Sequence, residues 1–232
     1  GNNAGEETLR IKSTGYISFV RGDNPYTFPF RIYPSLFDEK NSIKSINYPR
    51  LQLNDKQIIQ PIEKLDLYVN SISNYQNTVY NHIIDTLKTK FKDKINFENQ
   101  DRFGYTLLQR PLEALNICYP VDGGVENIRD IKNLVGINGL KNTMRYTEKV
   151  SPPTKKNFEY KHEKYGKIFS PEEIGKYSMK IKKICDNILN SEGIVLVYSQ
   201  YIDGGIVPLA LALESIGITR YGSNNSLFKT PQ

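Results

Sequence analysis

Residues 193–199, GIVLVYS, constrain the fold more than any other part of the chain. Five apolar residues in a row, two of them Val and one Ile, sit between a glycine and a polar Ser. That pattern reads as a strand covered on both faces, the central strand of a parallel sheet. Its flanks agree. Ser170-Pro171-Glu172-Glu173 is a helix start, with a capping serine, a first-turn proline and Glu173 three residues on. Ile174, Tyr177, Ile181, Ile184, Ile188 and Leu189 then form one apolar stripe, and Glu192-Gly193 closes the helix. Residues 201–205 read as a turn with Asp203 as a cap, residues 206–216 as a second helix ended by Gly217, and residues 218–221 as the next strand. Helix, strand, helix, strand is a right-handed crossover unit of an α/β sheet. The expectation is therefore a buried strand at 193–199, flanked by helices 171–190 and 206–216, with Cys185 in the core. Two strands do not make an independent sheet, and the first residue is Gly rather than Met, so we expect a piece of a longer chain.

The N-terminal part reads differently. Residues 1–12 are a polar lead-in that suits the end of a helix. Residues 15–37 are aromatic and broken by Pro25, Pro29 and Pro34, which predicts short strands and turns. Leu65, Leu67 and Val69 alternate and predict a strand within 57–71. Ser71 or Ser73 then caps a helix whose stripe is Tyr75, Val79, Ile83, Leu87 and Phe91, widened by Tyr80 and Ile84. A further helix is expected over 105–118 with Leu108, Leu112 and Leu115 inward, kinked at Pro111 or starting there. Residues 125–147 suit two short helices around a glycine turn. Residues 148–167, with Pro152-Pro153 and many charges, read as a linker.

Charge and composition narrow the function. Thirty-one Lys and Arg stand against 25 Asp and Glu, a formal charge of +6, which permits contact with phosphates without requiring it. No apolar run reaches the roughly 20 residues of a membrane helix, so no membrane partner is expected, and no secretory leader is visible. Cys118 and Cys185 are the only cysteines, and with two distant histidines they do not suit a structural zinc site. Both are expected as reduced core thiols, which suits a reducing compartment. There is no Gly-rich phosphate loop, no acid pair at a strand end and no nucleophile–His arrangement. Asp122-Gly123-Gly124 and Asp203-Gly204-Gly205 read as turns.

Two groups remain as candidates. Ser199, Gln200 and Tyr201 follow directly on the apolar run, where open α/β sheets meet their ligands; Ser and Gln there could bond a phosphate oxygen or sugar, or could simply begin a solvated turn. The second group is the cationic stretch 141–167. Lys141, Arg145, Lys149, Lys155, Lys156, Lys161, Lys164 and Lys167 are interleaved with Tyr146, Phe158, Tyr160 and Tyr165, a mixture that suits backbone neutralisation and base stacking. Glu148, Glu159 and Glu163 dilute it, and a solvated linker would look similar.

Residues 192–222, EGIVLVYSQYIDGGIVPLALALESIGITRYG, resemble motif IV and its following helix in Swi/Snf-type superfamily-2 ATPases, most closely the branch found in giant viruses and poxvirus relatives. Other segments are similar in the same order: YISFVRGDNPYTFPFRIYP after Gly15, LYVNSISNYQNTVY over 67–80, LQRPLEALNICYP over 108–120, and FSPEEIGKYSMKI over 169–181. The resemblance implies an α/β chain, with a mainly helical, mixed α+β inter-lobe region at 1–160 and the start of a RecA-like parallel sheet at 161–232. It implies a helicase or translocase with ATP and Mg as cofactors of the parent protein. Nucleic acid, the first motor lobe of the same chain and viral transcription proteins would be its partners, in a cytoplasmic viral factory or the virion. Ser199 and Gln200 would grip the strand backbone. The nucleotide loop, the acid pair and the arginine finger of such motors are not in this sequence, so this chain alone is expected to be inactive. The other reading is a non-enzymatic interaction or nucleic-acid-binding module of a viral transcription complex.

Overall fold

The computed structural model describes residues 2–13, 32–44, 49–51, 56–59, 66–91, 100–128, 130–146, 157–221 and 226–230. Among the described residues the chain is of mixed α/β type, mainly helical, with one small antiparallel sheet. It divides into two compact units: residues 1–50 with 57–69, and residues 51–56 with 70–232. The aromatic, proline-broken stretch 15–31 lies outside the described residues.

In the first unit the polar lead-in is helix α1 (Asn2–Ser13). Helix α2 (Pro34–Phe37) opens on a proline, which needs no N–H there. The organising group is the buried carboxylate of Asp66. It accepts hydrogen bonds from Ser35 N (3.2 Å), Ser35 Oγ (2.5 Å) and Ser42 Oγ (2.6 Å), with Lys44 Nζ at 3.9 Å. Burial alone would raise its pKa; the serine donors and Lys44 outweigh that, and the carboxyl is held below its ordinary value. Residues 60–65 of the strand expected within 57–71 lie outside the described residues, and the described part, 57–59 and 66–71, forms no strand. Tyr68 makes an antiparallel bridge to Ser42, carried by Ile43 N to Leu67 O (2.9 Å) and Val69 N to Asn41 O (2.6 Å).

The second unit begins with helix α3 (Asn74–Phe91). Ser73, not Ser71, caps it: Ser73 Oγ accepts from Gln76 N at 3.0 Å, and Gln76 Oε1 faces Ser73 N at 3.5 Å, the reciprocal pattern of S-x-x-Q. Val79 and Ile83 are fully buried, as the stripe predicts. Helix α4 (Gln100–Asn116) runs through Pro111. Its phase differs from expectation. Pro111, Ala114, Ile117 and Cys118 are buried, whereas Leu108 and Leu112 are exposed. The small Ala114 lets α3 approach closely enough for Gln76 Nε2 to reach Ala114 O at 3.2 Å, and leucine on that face would keep the helices apart. Cys118 and Cys185 are both buried free thiols, as expected.

Two short 3-10 turns (Val125–Asn127, Ile131–Leu134) lead into helix α5 (Gly136–Thr143), and strand β1 (Met144–Tyr146) follows without a break. The linker expectation for 148–167 fails in its second half. Strand β2 (Phe158–Tyr160) pairs antiparallel with β1, Met144 opposite Tyr160 and Tyr146 opposite Phe158, and helix α6 (His162–Tyr165) follows. Phe158 and Tyr160 alternate inward around Glu159 and join the core with Phe169 and Phe228. Three residues are enough for this period-two burial but too few to stand out among charges. Fully buried Tyr119 fastens the unit together: its N bonds Leu134 O (2.8 Å), its O accepts Tyr75 OH (2.8 Å), and its hydroxyl donates to Asp203 O (3.2 Å).

The long helix expected over 171–190 is broken into α7 (Ile174–Tyr177) and α8 (Met179–Leu189). Ser178, extended at ψ 97°, caps α8 by accepting from Ile181 N (3.0 Å) and donates to Asn116 O (2.5 Å). A side chain that satisfies two orphan backbone groups competes with the helix at that position. After residue 201 a π-turn (Ile202–Ile206) passes into helix α9 (Val207–Ser215), and Gly217 at φ 94° ends it as expected.

The stretch 193–199 departs most from expectation. It is neither helix nor strand, it pairs with no strand among the described residues, and it is not buried. Val195 and Val197 turn toward α8 and α9 and line an open apolar groove of about 350 Å³ with Ile188, Leu209, Leu213 and Ile218. Ile194, Leu196 and Tyr198 point away, 102%, 94% and 88% exposed. A continuous apolar run is buried on both faces only if neighbouring strands and a second helical layer cover it, and the described residues supply one layer. Residues 218–221 likewise form no strand, and no parallel sheet is present among the described residues.

Candidate nucleic-acid interface

The turn after 193–199 is built by its own residues. Ser199 Oγ accepts from Tyr201 N at 3.1 Å and donates to Tyr201 O at 3.0 Å. This serine turn shapes the backbone, and it occupies the hydroxyl that was a candidate ligand contact. Gly205 is required beside it, because a Cβ there would collide with Ser199 Oγ. Gln200 is exposed, with its amide open to solvent. The Tyr201 ring is half-buried, and its buried hydroxyl has no hydrogen-bond partner among the described residues. Gly204 packs against the N-terminal end of α5, where a Cβ would lie 3.4 Å from Gly136 Cα.

Lys141 and Arg145 belong to the other end of the same helix. Both are exposed, Lys141 in the last turn of α5 and Arg145 in β1. The eight residues of α5, about 12 Å of helix axis, run between Gly136 and the start of β1. Lys155 and Lys156 lie outside the described residues. The structure thus brings Ser199, Gln200 and Tyr201 together as one turn and Lys141 with Arg145 as one edge. It does not merge them into one site.

The cationic stretch becomes more specific when folded. The β1–β2 ladder returns the chain so that Lys161 N bonds Thr143 O (3.2 Å). Lys161 Nζ then donates to Lys141 O (2.7 Å) and Asn142 O (3.0 Å), carbonyls at the C-terminal end of α5 that have no helical donor. Beside them is an open polar pocket of about 460 Å³, lined by Arg145, Lys161, Lys164, Asn142, Asn133, Asp122, Glu163 and Tyr165, among others. Lys164 Nζ is 2.5 Å from Asp122 Oδ2. Lys164 and Tyr165, as donors to Asp122, hold that carboxyl below its ordinary value. Burial, and then the charges of Arg145 and Lys164, depress the pKa of the Lys161 ammonium.

No family model, curated protein or solved structure matches the chain. Among the described residues no group of three or more His, Cys, Asp or Glu side chains gathers as a metal site, and no helix is long and apolar enough to cross a membrane.

Proposed function

We propose that this chain is a segment of an ATP-dependent nucleic-acid translocase of the Swi/Snf type from a large DNA virus, acting in viral transcription. In that reading it carries the region between the motor lobes and the opening of the second, RecA-like lobe. The observation that carries the reading is the order α8, apolar segment with alternate residues turned inward, serine turn, α9. Such a segment, packed by helices on one side and bare on the other, is what the first strand of a sheet looks like when the rest of the sheet is contributed from elsewhere. The role of the chain's own residues is contact: Gln200 and the cations around Arg145 meet a phosphate backbone without reading bases. Ser199 acts by shaping the turn.

The test has two arms. Oligonucleotide anisotropy at two salt concentrations should show weak, sequence-independent binding, with a log–log slope of about −0.7 per phosphate on single strands. Lys155→Glu with Lys156→Glu should weaken binding and flatten the slope; Gln200→Ala should weaken it with little change of slope. Phosphate release from ATP should stay at background with or without nucleic acid. Steady release that survives a control for contaminating enzyme would overturn the reading of an incomplete motor. The bare row Ile194, Leu196 and Tyr198 favours a second reading, an interaction module without catalysis. Nucleic-acid binding unaffected by all of these substitutions would put that reading first.

A further inference from the structure

The pocket at the C-terminal end of α5 has an electrostatic imbalance that the fold itself does not resolve. Three cations, Arg145, Lys161 and Lys164, share its lining with two carboxylates, Asp122 and Glu163. Asp122 is taken up by Lys164 and Tyr165. Lys161 spends two of its three N–H groups on carbonyls, which leaves one donor. Arg145 lies opposite Glu159 in the β ladder, but Glu159 takes Lys229 Nζ at 3.3 Å. Among the described residues, no ion pair of the Arg145 guanidinium is formed. Arg145 therefore offers a planar fork of donors, the geometry that suits a phosphoryl group. Burial, and then the like charges of Arg145 and Lys164, depress the Lys161 ammonium, and an anion that enters relieves the like-charge part.

We propose that this pocket is a phosphoryl-oxyanion site, with Arg145 as the bidentate donor, the remaining Lys161 N–H as a second contact and the Asn142 side chain at its edge. The phosphoryl group reaches it on a nucleic-acid strand, which rests on the function proposed above, or as a free polyphosphate. The site is narrower than the cationic stretch as a whole. It excludes Lys141, whose side chain is not part of the lining, and it predicts that one exposed arginine matters more than its neighbours.

The experiment uses the full chain and two probes: a labelled 20-nucleotide single strand by anisotropy, and inorganic pyrophosphate by calorimetry. The variants are Arg145→Glu, Arg145→Lys and, as a control with the same change of charge on an exposed residue away from the pocket, Lys176→Glu. Arg145 is exposed, so the fold should survive, and circular dichroism checks this. The expected result is a loss of affinity of roughly tenfold or more for Arg145→Glu, with the salt slope reduced by about one phosphate. Arg145→Lys should fall between, Lys176→Glu should change affinity less than twofold, and pyrophosphate should compete with the strand. Arg145-dependent pyrophosphate binding without any strand binding would support the site and remove the nucleic-acid reading. Strand binding that ignores Arg145, with no pyrophosphate binding, would overturn the site and leave that reading standing. Failure of both probes would overturn both.

Discussion

Replacing Leu196 by Asp tests the least expected feature of the fold. In a central strand, Leu196 would be buried; removing its side chain from the core costs about 1.5–3 kcal/mol in transfer alone, and burying an unpaired charge takes the total beyond about 4 kcal/mol. In this structure Leu196 is 94% exposed, so the same change should stay within about 0.5 kcal/mol. Val197, one residue on, is half-buried in the groove against α9, and Val197→Asp should cost about 1–2 kcal/mol. The contrast between neighbours identifies the inward face. Urea unfolding followed by far-UV circular dichroism reads it directly: with a slope of roughly 2–3 kcal/mol per molar, Leu196→Asp should move the midpoint by less than about 0.25 M. A loss of about 1 M or more for Leu196→Asp, or equal losses at both positions, would show that residues 193–199 are covered on both faces and would refute the exposed arrangement.

Three further outcomes follow from the packing. The buried Glu214 carboxylate accepts from Leu227 N (2.7 Å), Phe228 N (3.0 Å) and the Ser226 hydroxyl; Glu214→Ala should cost about 2–3 kcal/mol and raise hydrogen exchange at Phe228, and unchanged exchange there would refute the tie. A Cβ on Gly139 would collide with the buried Tyr119 ring, so Gly139→Ala should lose about 1–2 kcal/mol even after its helix-propensity gain, a fall in Tm of roughly 2–8 °C by calorimetry. Burial raises both thiols, Cys185 from 9.0 to about 11 and Cys118 further. The folded chain then keeps protons that the unfolded chain releases, so stability is full below about pH 9 and falls as pH rises toward 11 and beyond; a chemical-denaturation series showing no thiol-dependent loss, judged against the Cys185→Ala variant, would sink this.

How much of this was legible in the sequence depended on whether the deciding partners were local. The α3 stripe from Tyr75 to Phe91, its serine cap and the α9 helix ending at Gly217 are set by residues within a few turns of each other, and periodicity finds them. The break at Ser178 is set by Asn116 O and by the α8 amides together, and nothing near 178 in the sequence announces a carbonyl 62 residues away. The phase of α4 is not legible from its residues, because leucine outranks alanine as an inward residue, whereas close helix approach at Ala114 decides the packing. The apolar pattern at 193–199 reports the affinity of the residues for burial, not the presence of something to bury them. In the candidate interface, the cations were visible as a run from 141 to 167. The placing of Arg145 and Lys161 on one pocket is not visible, because it depends on a ladder of three residues per strand, below the length at which alternation is distinguishable from chance. Ser199 carried a genuine signal, a polar residue after a strand-like run, but turn geometry consumes its hydroxyl.

Gln76 sets an order of events for folding. Its amide holds the start of α3 to Ala114 O (3.2 Å) and accepts Met179 N at 2.9 Å, across 103 residues of chain. Closing a loop of that length costs about 4 kcal/mol in chain entropy, several times what one neutral hydrogen bond returns. The contact to Met179 therefore forms only after the α3–α4 pair has packed and Ile181 and Cys185 have found their apolar partners. Once formed, it makes the start of α8 unable to fray without unsealing the start of α3. A substitution such as Gln76→Leu should thus speed unfolding through the lost Met179 contact, and slow folding only by the share of the loss that falls on the Ala114 O bond made when α3 and α4 pack.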